Sequence, residues 1–160
     1  MSSYIAQFQI DSIDLLDIAF SLAPKGPKGP VRVEVKLNHD FSGIQFAEKR
    51  NRNTALVTLH VMTELQEENG TNEALMSAKA ALQGSFSFGE FEDGPSNAEL
   101  EEWILQNGIS ALYAHARSYF SFLASGSPMG RFLLPPIYVQ EYLEMHKSNT
   151  KGSNRAKESD

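Results

Sequence analysis

The segment Ala74–Trp103, ALMSAKAALQGSFSFGEFEDGPSNAELEEW, contains the change of pattern that decides the fold. In its first half polar residues alternate with apolar ones, and one face collects Met76, Ala78, Ala80, Leu82, Phe86 and Phe88. A period of two is typical of a half-buried strand. Asp93-Gly94-Pro95 then predicts a turn, and Ser96 with Glu99 makes a capping box, where a helix should begin. The segment therefore predicts strands followed by helices.

Three further strands are predicted upstream. The clearest alternation with charged residues is that of Val31, Val33, Val35 and Leu37, and Val57, Leu59, Val61 and Leu65 form another. In the first strand, Phe8 and Ile10 share a phase with Ile18, Phe20 and Leu22, whereas Ile13 and Leu15 do not. A phase slip of this kind predicts a bulge or bend. The Pro- and Gly-rich residues 23–30 predict a loop, and Asn69-Gly70 predicts a hairpin turn.

Helical spacing dominates after Ser96. The pattern of Ile109, Leu112, Tyr113, Ala116, Phe120 and Leu123 predicts a long helix. Gly108 is expected to break or kink it, and Gly126 to end it. A short helix is predicted from about Val139 to Lys147. The fold class is therefore α+β, with four antiparallel strands followed by a long helix and a short C-terminal helix.

The composition bounds the class of protein. A chain of 160 residues with no Cys and a net charge of -6 predicts one folded domain, residues 1–146, followed by a disordered polar tail, residues 147–160. The acidic balance disfavours nucleic acid as a partner. We find no apolar run long enough to span a bilayer and no signal-peptide pattern, so we expect a cytoplasmic protein.

Motifs for catalysis are absent from the sequence. His39, His60, His115 and His146 do not stand at metal-ligand spacing, and His39 and His60 are interpreted as hydrogen-bonded polar residues of strands. The chain has no nucleophile elbow, phosphate-binding glycine loop or dinucleotide fingerprint. We therefore predict that it is not an enzyme and needs neither a metal nor a cofactor.

The long helix carries a second apolar surface, which includes Ala111, Tyr119 and Phe122. A helix that packs on one sheet needs a single apolar face. Either the C-terminal segment covers the second face or another subunit does. We favour another subunit, because a single small sheet cannot cover both faces.

Four motifs, taken in order, resemble the SecB family of export chaperones. They are QFQIDSIDLLDIAFSLAP near the start, VEVKL at Val33–Leu37, NGISALYAHARSYFSFLASGS and FLLPPIYVQEYL. The helix motif corresponds to Leu112, Tyr113, Ala116 and Arg117, and the closing motif to Leu134, Pro136 and Ile137. Together they span nearly the whole chain up to Met145.

The resemblance implies a homotetramer, a dimer of dimers, that binds unfolded precursor polypeptides in apolar grooves without nucleotide and transfers them to the export ATPase SecA. It places Val35 and Leu37 in the groove, and Ala78, Ala80 and Leu82 at subunit contacts. On chemical grounds we add the groove candidates Phe86, Phe88, Ile137, Tyr138 and Tyr142, with core packing as the alternative for each. Tyr119 and Phe122 are interface candidates.

The sequence departs from the family on the surface that docks SecA. Asp17 matches one of the carboxylates implied there, but Ser21 and Lys79 stand at two others, and the tail is basic. Weaker charge complementarity puts transfer to SecA in doubt. Two alternatives therefore stay open: a dedicated chaperone of an antitoxin in a toxin–antitoxin–chaperone system, and an oligomeric adaptor that binds no unfolded chain.

Overall fold

The computed structural model describes residues 8–46, 52–68, 74–89, 95–128, 130 and 132–147. Four strands form one antiparallel sheet of order β1-β4-β3-β2, and a long helix and a short helix follow. The bounds are β1 Phe8–Leu22, β2 Val31–Gln45, β3 Asn53–Glu67, β4 Ala74–Phe88, α1 Asn97–Ser125 and α2 at residues 139–147. This confirms the predicted α+β class.

Three of the predicted features fall at the limits of this description, and one is the turn at Asp93-Gly94-Pro95, of which only Pro95 is described. The hairpin turn at Asn69-Gly70 lies outside the described residues. So does the polar tail from residue 148 onward, whereas Lys147 is the last residue of α2. Neither helix in the described part of the chain is long and apolar enough to cross a membrane.

The core lies between α1 and one face of the sheet, which we call the inner face. Alternation puts the apolar residues of β3 and β4 on that face, where α1 buries them. Burying apolar side chains on one face of an antiparallel sheet leaves the opposite, outer face to polar residues. The inner-face core residues of the two strands are Ala55, Val57, Leu59, Val61, Leu65, Met76, Ala78, Ala80, Leu82, Phe86 and Phe88.

The predicted bulge in β1 is present and is double. The pairing of β1 with β4 shifts once between Ile10 and Ser12 and again between Leu15 and Asp17. Each shift inserts one residue, so that Ile13 and Leu15 pair with inner-face positions of β4 despite their change of phase. The two bulges therefore keep one apolar face along the whole strand.

The capping box at the start of α1 is confirmed. The Ser96 hydroxyl accepts from the backbone N–H of Glu99 at 3.3 Å, and the Ser96 N–H donates to the Glu99 carboxylate at 2.8 Å. Gly126 caps the end of α1, as predicted. The prediction of a break at Gly108 is wrong, because α1 is continuous from Asn97 to Ser125.

The glycine at position 108 serves close packing instead. A Cβ atom there would lie 3.2 Å from both the ring of Phe86 and a methyl group of Val57. Such contacts are tighter than ordinary van der Waals distance, so the missing side chain lets α1 approach the sheet.

The residues between the two helices run along α1. The Tyr113 hydroxyl donates to the carbonyl of Pro135 at 2.7 Å, and Nε of Arg117 donates to the carbonyl of Leu134 at 3.0 Å. These bonds give hydrogen-bond partners to two backbone carbonyls of a segment that is neither helix nor strand. They therefore fix where α2 begins relative to α1.

Candidate functional site

The inner face of the sheet is only partly covered at β2. Helix α1 lies mainly over β3 and β4 and contacts β2 less. Val33 of β2 is 36% exposed, while its direct partner on β3, Leu65, is 3% exposed. Val31 is exposed to a similar degree, and Val35 and Leu37 are partly buried. A row of four apolar side chains thus borders the core without being sealed by it.

Helix α2 lies at one end of this row. His39, two residues after Leu37 on the inner face of β2, has its Nδ1 2.8 Å from the hydroxyl of Tyr142. The two rings meet edge to face, with centroids 5.5 Å apart. Ile137 is partly buried against the core, and Tyr138 is 76% exposed. We call the row Val31, Val33, Val35 and Leu37, together with Ile137, Tyr138 and Tyr142, the β2 groove.

Burial sets the ionisation of the groups at this end of the groove. Desolvation lowers the pKa of His39, as does the nearby His146, while Asp40 acts in the opposite direction. Desolvation, helped by Asp40, raises the pKa of Tyr142 to about 12. At neutral pH the His39–Tyr142 contact is therefore a hydrogen bond between two uncharged side chains.

Two predicted groove residues lie elsewhere. Phe86 and Phe88 are fully buried in the core, and Phe86 stacks on Phe8 with ring centroids 5.1 Å apart. A side chain with no exposed surface cannot contact a polypeptide, which corrects their assignment to the groove. The reason is position: both are on β4, beneath α1, whereas the groove residues of the sheet are on β2.

The predicted contact residues of β4 are also internal. Ala78, Ala80 and Leu82 are buried in the core of the single protomer. They pack within the sheet–helix core, and any part that they have in supporting a subunit contact stays a prediction. Ala78 and Ala80 pair with Phe20 and Ile18 of β1. Their small side chains suit close packing between the sheet and the helix.

The surface of α1 keeps two large apolar side chains exposed, Phe122 and, to a lesser degree, Leu123. Phe122 is 77% exposed and, with Leu133, borders an open concavity whose other lining is Ala114, Arg117, Ser118, Ser121 and Ser125. Tyr119 is partly buried against the core. Leu133 of the C-terminal segment therefore lies beside the second apolar surface of α1, and Phe122 stays largely exposed.

The outer face of the sheet carries charges of both signs. Nζ of Lys79 lies 4.0 Å from the Asp17 carboxylate, and both side chains are exposed. Lys36 lies 3.3 Å from Glu34 on β2. Exposed pairs of this kind contribute little to stability, but they compensate the negative charge locally. The negative charge of Asp17 is thus partly compensated by the neighbouring Lys79.

Sequence reasoning missed the cluster of His39, Tyr142 and His146. His39 and Tyr142 are 103 residues apart in sequence, and no local pattern links them. The interpretation of His39 as a hydrogen-bonded strand residue is confirmed. Within the described ranges, no group of three or more His, Asp or Glu side chains is placed to hold a metal ion.

No family model matches the chain, and no curated protein matches its sequence. Among solved structures, it is similar to the SecB-like chaperone Rv1957 of Mycobacterium tuberculosis, which is in complex with a ChAD peptide from the HigA1 antitoxin Rv1956. The TM-score is 0.61 at 19% sequence identity, and the similarity covers 83% of this chain and 92% of that chain. The four-stranded antiparallel sheet with its long and short helices is therefore a SecB-like fold.

Proposed function

Starting from this SecB-like fold, we propose that the protein is an ATP-independent chaperone that holds unfolded polypeptides in the β2 groove. The observation that carries the proposal is the open apolar row on β2, where Val33 is exposed beside a sealed neighbour, Leu65. Burial of apolar surface is non-directional, so such a row can bind many sequences. Several weak contacts along one chain then reinforce each other through their effective concentration.

The kind of polypeptide divides the proposal into two forms. In the first, the clients are precursors for export and are transferred to SecA. In the second, the client is one antitoxin of a toxin–antitoxin–chaperone system. Two observations favour the second form: the similar solved structure holds an antitoxin peptide, and Lys79 lies beside Asp17 on the face where SecA would dock.

We propose that the protein acts in the cytoplasm as a homotetramer, a dimer of dimers. The support is the exposed ring of Phe122 on α1, which a single chain leaves in water. Large exposed aromatic side chains next to a concave surface are typical of subunit contacts. The expected native mass is four times the chain mass of 17.8 kDa.

Aggregation of a chemically denatured model protein tests the function directly. A holdase should suppress it at near-stoichiometric ratios, with no nucleotide in the buffer. An adaptor that binds only a folded partner should leave light scattering unchanged, and that result would overturn the proposal. The variant Tyr138→Asp, which removes an exposed ring from the groove, should suppress aggregation less well than the wild type.

Affinity capture of the tagged protein from its own host, read by mass spectrometry, separates the two forms. A broad set of signal-bearing precursors together with SecA is expected for an export chaperone. One dominant small partner encoded beside a toxin is expected for the dedicated form.

A further inference from the structure

Three aromatic side chains join α2 to β2. Nδ1 of His39 lies 2.8 Å from the hydroxyl of Tyr142, and the rings of His39 and His146 have centroids 4.6 Å apart. The rings of Tyr142 and His146 lie 6.0 Å apart. Because positions 142 and 146 are four residues apart on α2, both side chains leave the same side of the helix. The contact between α2 and β2 thus contains two titratable imidazoles side by side.

Polar contacts on both sides of α2 also link this region to α1. Before α2, the carbonyls of Leu134 and Pro135 accept from Arg117 and Tyr113 of α1. At its end, Lys147 contacts the carboxylate of Glu102 on α1 at 2.8 Å. Helix α2 is therefore fastened to α1 before its first turn and at its last residue, and the His39–Tyr142–His146 cluster links it to β2.

The charged groups around the cluster come from four elements. From β2, Asp40 follows His39, and its carboxylate lies 3.1 Å from Nε2 of His60 on β3. The direct partner of His39 on β3 is Leu59, which is buried and carries no charge. From α2 and α1 come Lys147 and Glu102, which pair with each other. Asp40 is thus an acid that acts on His39 and also contacts His60.

The balance of these groups disfavours a charged His39. Desolvation and His146 both lower its pKa, and Asp40 offsets this only in part. A histidine whose pKa is lowered in the closed state takes up its proton more readily when the contact is open. The closed contact is therefore fully retained above the ordinary pKa of 6.5 and loses stability as the pH falls below it.

We propose that His39, Tyr142 and His146 form a pH-sensitive latch, which holds α2 against β2 at neutral pH and releases it when His39 becomes protonated. Two imidazolium rings at this separation repel each other, and both are better solvated apart. Release uncovers the inner face of β2 beyond Leu37 and frees the Tyr142 ring. The β2 groove lengthens in consequence, and this second step rests on the proposed function.

Hydrogen exchange of the full chain tests the latch without any client. Protection of residues 139–147 is measured at pH 7.5 and pH 5.8 and corrected for the intrinsic pH dependence of exchange. In the wild type we expect protection to fall roughly three- to fivefold, since His39 takes up a proton more readily in the open state than in the closed one as the pH falls. His146→Phe keeps an aromatic ring without a charge and removes one of the two causes that lower the pKa of His39, so its loss of protection should be clearly smaller than that of the wild type.

The control is His115→Gln, which removes an exposed histidine of α1 outside the cluster and should behave like the wild type. Equal protection of wild-type α2 at the two pH values would overturn the latch. So would an equal loss of protection in the wild type and in His146→Phe.

A second measurement connects the latch to the groove. The probe is a fluorescently labelled, reduced and carboxymethylated α-lactalbumin, which stays unfolded at both pH values. We expect the wild type to bind it several-fold more tightly at pH 5.8, and His146→Phe to show a smaller gain. Loss of protection without binding at either pH would support the latch and overturn the proposed function.

Discussion

Gly84 lies directly beneath the ring of Phe86, and a Cβ atom at position 84 would stand 2.4 Å from Cζ of that ring. Gly108 of α1 lies within 3.3 Å of the same ring when a Cβ atom is built on it. One buried phenylalanine thus fills the space between β4 and α1, and two glycines set the width of that space. The height of α1 above the sheet depends on this contact.

Gly84→Ala should therefore destabilise the protein. The Phe86 ring is fully buried and cannot move aside without displacing α1, so we expect a loss of about 1–3 kcal/mol, as for other overpacked cores. The measurement is urea unfolding followed by circular dichroism. Gly89→Ala is the matched control, because a Cβ there meets nothing within 4 Å, and it should stay within about 0.5 kcal/mol. Equal effects of the two substitutions would contradict the packing role.

Ser96→Ala should raise the pKa of Glu99 toward its ordinary value. Hydrogen bonds from the Ser96 hydroxyl and then from its backbone N–H hold that pKa low. The stabilisation from the Ser96–Glu99 hydrogen bonds is fully present above the ordinary pKa of a glutamate. It is lost as the pH falls through the lowered pKa of Glu99. An NMR titration of the Glu99 carboxyl measures the change. Ser118→Ala removes a hydroxyl from the middle of α1 and should leave the titration unchanged; a shift there would point to a general loss of helix.

Tyr138→Asp should weaken the holding of an unfolded polypeptide roughly tenfold, because exposed aromatic rings often carry much of the energy of an apolar contact. The side chain is largely exposed, so circular dichroism and the native mass should not change. Fluorescence anisotropy with the carboxymethylated probe measures the dissociation constant. Met62→Asp places the same charge on the exposed outer face of β3 and should bind like the wild type. Equal weakening by both would place the site elsewhere.

Phe122→Asp should dissociate the proposed tetramer. An ionised carboxylate at the centre of a subunit contact loses its hydration without a partner, which strongly opposes association. Light scattering coupled to gel filtration should show a mass of two chains or one. Met62→Asp is again the control and should keep the mass of the wild type. A wild type that is monomeric at micromolar concentration would rule out the assembly.

Lys79→Glu should strengthen binding to SecA if the outer face of the sheet is its docking surface. The substitution removes the cation beside Asp17 and adds an acid, so we expect a roughly three- to tenfold gain in affinity that decreases with salt. Surface plasmon resonance with immobilised SecA provides the measurement. Lys36→Glu makes the same charge change on β2, away from Asp17, and should gain less. Absence of binding in all three proteins would favour the dedicated form.

Much of the fold follows from local patterns of the sequence. The alternation in β4, the phase slips in β1 and the capping box at Ser96 each depend on neighbours a few residues apart, and all three appear as predicted. Periodicity reports which side chains share a face, because the geometry of a strand or a helix is the same everywhere. The order of strands and helices then restricts the fold to a small set.

The site depended on packing that no local pattern contains. Val33 and Phe86 both stand on apolar faces of alternating strands, yet one is exposed and the other is sealed beneath α1. From the sequence, Gly108 is expected to break the helix, whereas in the structure its missing side chain leaves room for the Phe86 ring. His39 and Tyr142 meet across 103 residues because α2 folds back onto β2. The sequence by itself determined which residues share a face, while the position of each helix over the sheet decided which of them are covered, because burial depends on neighbours distant in sequence.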